Sequence, residues 1–251
     1  MILRTRISLA VCFFLFLAVF VHSQQPEGLI TQGDEIFNSM GDMEAAKQAL
    51  TKYEEAEKLL ENKYDALWRI SRVMYYIGYF TEKKKEKKKI FQDAVLYANK
   101  AVILEPEKPD GHYWQGVNNG KYGETRGVFK SLSLVKPIKA AMNKVIELDR
   151  NYEEGGADRV LGRVYYKLPG IAGGSNDKSL EHLLKSKELG PEDALTRVYL
   201  AETYLDMKEV EKAREELEYV LAMEDDPCWV TMVNECKNLA REILKDKKFR
   251  K

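Results

Sequence analysis

From about residue 30 onward, small and apolar residues return every three or four positions, the period of a helix with one buried face. The helices come in pairs, and the pairs repeat over residues 30–63, 64–107, 109–151, 155–191 and 194–227. The first helix of each pair has a key position at Phe37, Ser71, Gly116, Gly162 and Ala201, the second at Ala56, Ala101, Val145, Ser186 and Val220. Most of these residues are small, because bulk at such a point would hold two helices apart. From each second-helix position to the next first-helix position the gaps are 15, 15, 17 and 15 residues; within the pairs they are 19, 30, 29, 24 and 19. The turns between pairs are thus nearly constant, and the three middle pairs carry insertions. A last amphipathic helix is predicted over 229–249, with Val233, Leu239, Ala240, Ile243 and Leu244 on one face. Its expected role is a solubilising cap on the open end of the stack.

The tetratricopeptide repeat, about 34 residues long, divides into the same 19 and 15. Its first-helix pattern is matched by Leu161-Gly162-x-x-Tyr165 and Leu200-Ala201-x-x-Tyr204, its second by Ala49-x-x-x-Tyr53-x-x-Ala56 and Ala94-x-x-x-Ala98-x-x-Ala101. Pro106 and Pro191 stand where a proline ends the run. The prediction is an all-α superhelix: one domain over 24–251, of about five helix pairs plus the C-terminal capping helix.

Residues 1–23 stand apart. A basic start with Arg4 and Arg6 precedes the apolar run Ile7–Val21, and Val21-His22-Ser23 ends in a small residue. This is the pattern of a secretory signal; cleavage after Ser23 is expected, with an uncleaved anchor as the alternative. Cys12 follows the bulky Val11, so no convincing lipobox exists. The remaining residues carry a net charge of −2, which argues against a nucleic-acid binder. Cys228 and Cys236 lie eight residues apart in one expected helix, about 12 Å, too far for a disulfide.

The three insertions occupy the same kind of turn, so stacking puts them on one face, often the binding face of such proteins. The first, Thr81–Lys89, reads as a helical extension with a lysine-rich tip, either a solvated surface or a dock for an acidic partner or anionic lipid heads. The second, Gly120–Ser131, holds three glycines and leads into a helix bearing Pro137. The third, Leu168–Asp177, is a Pro- and Gly-forced loop whose Ser175, Asn176 or Asp177 can cap the next helix. Neither Gly120-Lys121 nor Lys178-Ser179 completes a phosphate loop.

No catalytic constellation is evident. His112 and His182 lack metal-ligand spacing and neither cysteine has an activating context, so no enzyme, metal or cofactor is expected. The concave face is richer. First-helix positions either side of the key residue place Trp68, Arg72, Tyr75, Tyr76, Tyr113, Val117, Asn118, Arg159, Arg163, Tyr166 and Lys167 toward the groove. Aromatic walls with guanidinium groups suit an elongated ligand bearing a carboxylate; packing between helices is the other use for the aromatics.

The stretch Tyr113-Trp114-Gln115-Gly116-Val117-Asn118-Asn119-Gly120, then Gly155-Gly156-x-x-Arg159-x-Leu161-Gly162-x-x-Tyr165 and Leu168-Pro169-Gly170-x-x-Gly173-Gly174, resembles the T-component of tripartite ATP-independent periplasmic (TRAP) transporters, the TatT family. The resemblance covers about residues 110–206. It implies a periplasmic homotrimer that docks a substrate-binding P-component and holds a small anionic or amphiphilic ligand, with Tyr113, Trp114, Asn118, Arg159 and Tyr165 in or near the groove. Such components are often lipoproteins, and the missing lipobox leaves membrane association open. The rival expectation is a periplasmic repeat scaffold that grips protein or peptide partners.

Overall fold

The computed structural model describes residues 25–249, and the regular structure among them is entirely helical. The five pairs are α1 (Pro26–Ser39) with α2 (Met43–Leu59), α3 (Tyr64–Phe80) with α4 (Lys84–Leu104), α5 (Pro109–Arg126) with α6 (Val128–Asp149), α7 (Gly156–Lys167) with α8 (Asn176–Leu189), and α9 (Ala194–Asp206) with α10 (Val210–Ala222). All ten key positions are buried. Their hydroxyls stitch the layers together: Ser71 Oγ donates to the Ala94 carbonyl at 2.9 Å, and Ser186 meets Thr196 at 3.0 Å. Gly162 shows why bulk is excluded there, since a methyl group on it would stand 2.6 Å from Leu183 Cγ.

The insertions are more helical than their composition suggests. After a short break at Thr81–Lys83, the first is absorbed into α4, which reaches 21 residues. In the second, α5 runs through Gly120 and Gly123 to Arg126; only Gly127, at φ 83°, interrupts the chain. Pro137 starts no new helix: α6 runs through it. The third is an irregular loop with one 3-10 turn, and Ser175 accepts from the Lys178 N–H to cap α8.

The C-terminal region departs most from expectation. The helix α11 spans Val233–Ile243, not 229–249, and a 3-10 turn at Lys247–Phe249 follows. Residues 226–232 form an irregular strap that crosses to the first repeats. The Trp229 N–H donates to the Met40 carbonyl at 2.8 Å, and Cys228 Sγ lies 3.2 Å from the Asn38 carbonyl. The Trp229 ring stacks on Phe80, centroids 4.1 Å apart, and Tyr76 Oη donates to the Val230 carbonyl at 3.3 Å. An open solenoid touches only its sequential neighbours. Here the end of repeat five is tied to repeats one and two, and the superhelix closes on itself. Cys228 therefore lies in the strap and Cys236 in α11, and both are free.

Candidate functional site

The inner face of the first helices and the strap line a cavity of about 880 Å³ that is open to solvent on one side, within the range of small-ligand pockets. Its walls are aromatic and aliphatic: Tyr75, Tyr76, Tyr113, Trp114, Leu195 and Tyr199, with Val230–Met232 of the strap and Val233 of α11 as one side. Tyr75, Tyr76 and Trp114 pack edge-on or tilted, 4.9 to 6.4 Å between centroids.

Charge is distributed along the cavity in an ordered way. Arg159, Arg163 and Lys167 are spaced four residues apart on α7 and all line it, marking out about 12 Å. At the N-terminal end of α7 stand Glu153, Glu154, Glu192 and Asp193. Asp193 caps α9 through the Thr196 N–H at 3.0 Å and also pairs with Arg159 at 2.7 Å. Burial alone would raise its pKa; Arg159 and the Thr196 hydrogen bonds outweigh burial and hold it low. Arg159 also donates to Tyr113 Oη at 2.9 Å. Burial pushes the Tyr113 phenol up to about 12. Glu153 has no such partner among the described hydrogen bonds. Desolvation beside the cavity, only partly offset by Arg159 and Arg72, raises its pKa from the ordinary glutamate value, though the residue keeps an exposed face.

The backbone under this acidic end is strained. Glu153, Glu154 and Gly155 follow one another at φ 51°, 53° and 75°. A left-handed conformation costs a non-glycine residue about 1–2 kcal/mol, and such strain gathers at functional sites. It swings the chain sharply from α6 into α7 and brings both glutamates to the cavity.

The other end is basic. Lys121 and Glu124, near the end of α5, join Arg163 and Lys167. Lys121 lies 3.2 Å from Glu124, and burial would lower its pKa, but Tyr199 and Glu124 raise it, so it stays charged. Arg163 pairs with Glu202 at 2.5 Å and lies 4.1 Å above the Tyr199 ring, while its Nε has no partner. Desolvation first, then Arg163, lowers the Lys167 pKa.

Of the residues expected in the groove, Tyr75, Tyr76, Tyr113, Trp114, Val117, Arg159, Arg163 and Lys167 line the cavity. Four do not. Arg72 turns to Asp34 at 2.8 Å and lies 3.7 Å above Phe37. Trp68 donates to Asp65 at 3.3 Å under the Arg69 guanidinium. Asn118 is fully buried and donates to Ser71, which locks α5 to α3. Tyr166 stands outside, 5.2 Å from the Arg163 guanidinium. Tyr165, implied by the resemblance, stacks on His182 instead. Arg72 misses the cavity because Asp34 of repeat one draws its guanidinium away. The acidic end and the strap were missed altogether. The Glu-Glu-Gly run was a visible signal; the strap left none.

These features define a closed helical-repeat protein of the tetratricopeptide type. A thermophilic TPR protein of Thermus thermophilus superposes with a TM-score of 0.64 at 16% identity, covering 85% of this chain and 99% of its own. Pseudomonas aeruginosa pilF gives 0.53 at 14%, covering 88% and 90%. Residues 29–168 match the family model for regulator of microtubule dynamics protein 1-3, and the chain belongs to this family. Regulator of microtubule dynamics protein 1 of Bos taurus is 28% identical over 137 residues, 53% of this chain and 41% of that one. Protein 3 of Rattus norvegicus is 24% identical over 213 residues, 76% of this chain and 42% of that one. The chain spans about two fifths of the length of these relatives.

The family match overturns the transporter reading. The chain is not a TRAP T-component, and the substrate-binding partner, the homotrimer, the transported ligand and the periplasmic setting fall with that reading. Of the glycines that carried the resemblance, Gly116, Gly156 and Gly162 are demanded by close packing and Gly155 and Gly173 by a left-handed backbone, while Gly120 and Gly170 face open space. The leader expected over 1–23 lies outside the described residues.

Proposed function

We propose that the chain is a repeat scaffold in the regulation of microtubule dynamics, and that it grips a short extended segment of a protein partner in the cavity. The observation that carries this is the ordered charge along α7, acidic at one end and basic at the other, between aromatic walls. About four extended residues span the 12 Å between Arg159 and Lys167. A basic side chain would face Glu153 and Asp193; an acidic side chain or a C-terminal carboxylate would face Lys121 and Lys167. Catalysis has no part in this reading. A role at microtubules needs the repeats in the compartment that holds them, which supports the apolar run 7–21 acting as a retained anchor.

The test is replacement in cells. Growth and shortening of single microtubules are tracked after the native chain is exchanged for Leu195→Arg, which fills the cavity from a half-buried wall position. The wild-type chain should restore normal dynamics and the filled one should not. Full restoration by a folded Leu195→Arg chain would overturn the proposal.

A further inference from the structure

At the start of α4 lie six lysines, Lys83, Lys84, Lys85, Lys87, Lys88 and Lys89, against Glu82 and Glu86, a net of +4 in a chain that is neutral overall. All six are exposed or half-exposed. Lys89 pairs with Asp93 at 2.6 Å; among the described residues no ion pair involving the other five is found. Three features of this helix start oppose its own stability. Its N-cap, Lys83, makes no side-chain cap bond. The cations sit at the positive end of the helix dipole, which favours acids. Lys84 with Lys88, and Lys85 with Lys89, are like charges four apart, a repulsive spacing. The helix forms because Phe91, Ala94, Ala98 and Ala101 further along are buried against its neighbours. Lysine favours helix in itself, but its charge is misplaced at this end, and such a local inconsistency is the kind that marks function.

We propose that this ridge docks an acidic polypeptide segment, as a second contact separate from the cavity, which no α4 residue lines. The ridge from Lys84 to Lys89 is about 7.5 Å long, the width of a few residues of one extended chain. A membrane-surface helix sets apolar side chains beside its cations. Here the first strongly exposed apolar residue on α4 is Leu96, about 10 Å beyond Lys89. The ridge therefore offers charge without an insertion face.

The test uses a fluorescent eight-residue probe, Glu-Glu-Gly-Glu-Glu-Gly-Glu-Glu, read by anisotropy. The wild-type chain should bind it, with affinity falling about fivefold or more between 50 and 200 mM salt through counterion release and screening. Lys84→Glu with Lys85→Glu and Lys88→Glu should lose at least tenfold. A charge-matched control, Lys47→Glu with Lys58→Glu and Lys130→Glu, places the same charge on scattered exposed sites and should lose less than threefold. Thermal stability of the ridge variant should hold or rise, because acids suit a helix start, so a folding defect cannot explain its loss. Equal losses in both triple variants, or no loss in the ridge variant, would overturn the proposal. So would wild-type binding to vesicles with 30% anionic lipid but not to the probe, which would assign the ridge to a membrane. Leu195→Arg should leave probe binding intact, so this test and that of the cavity fail separately.

Discussion

Trp229→Ala should unlatch the strap while leaving the five repeats folded. The ring is half-buried and stacked on Phe80 at 4.1 Å, and its own N–H reaches Met40 across 189 positions of sequence. Complete burial of a Trp is worth about 3–5 kcal/mol against Ala. Half-burial with retained backbone bonds leaves about 2 kcal/mol. At 1.4 kcal/mol per tenfold, the strap would then open about thirty times more often. Hydrogen exchange followed by mass spectrometry reads this directly. Amides of 228–231 should exchange about thirtyfold faster, while the buried interior of α3, α5 and α9 stays protected. Trp229→Phe, which keeps the stack, should fall between the two. Unchanged exchange in 228–231 would refute the ring as the latch.

Other outcomes follow from single sites. Gly162→Ala should cost about 1–3 kcal/mol in denaturant unfolding, because the new methyl collides with Leu183 and the Ser179 backbone. Glu153→Gly should raise stability by about 0.5–1 kcal/mol by relieving the left-handed residue, and should weaken any cation held at the acidic end; thermal melts and peptide binding measure the two. Asp158 is fully buried between His182 at 2.7 Å and Arg150 at 2.9 Å; burial would raise its pKa, but these hydrogen bonds outweigh burial and lower it. Its stabilisation is thus present above about pH 4 and lost as pH falls through its depressed folded value, so the acid limb of a stability–pH curve should flatten in Asp158→Asn. N-terminal mass mapping of the chain isolated from cells should find residues before Gln24; a clean start at Gln24 would contradict the retained anchor.

The repeat frame was legible in the sequence because helix pairing constrains residues 15 to 30 positions apart, and small residues at Ser71, Gly162 or Ala201 record that constraint locally. Half of the cavity was legible for the same reason: Tyr113 and Arg159 each stand three residues before the key position of their first helix, and Val117 and Arg163 one residue after it. The offset failed at Arg72 because a neighbouring repeat supplies Asp34, a fact about another helix. The strap was invisible because Trp229 and Met40 meet through one backbone hydrogen bond and Trp229 and Phe80 through one ring stack, contacts that impose no periodicity. The glycines of 110–174 misled in the opposite direction. Gly116, Gly156 and Gly162 report close packing, which does not identify a partner, and Gly120 and Gly170 face open space and report no packing at all.

The most direct measurement is a selection from a random-sequence peptide library against the folded wild-type chain and Leu195→Arg in parallel. Wild type should enrich short extended sequences with a basic residue about three or four positions before an acidic residue or the C-terminal carboxylate, and Leu195→Arg should enrich none of them. Enrichment of the same sequences by both, or of none by a wild-type chain with an intact strap, would contradict a peptide-gripping cavity.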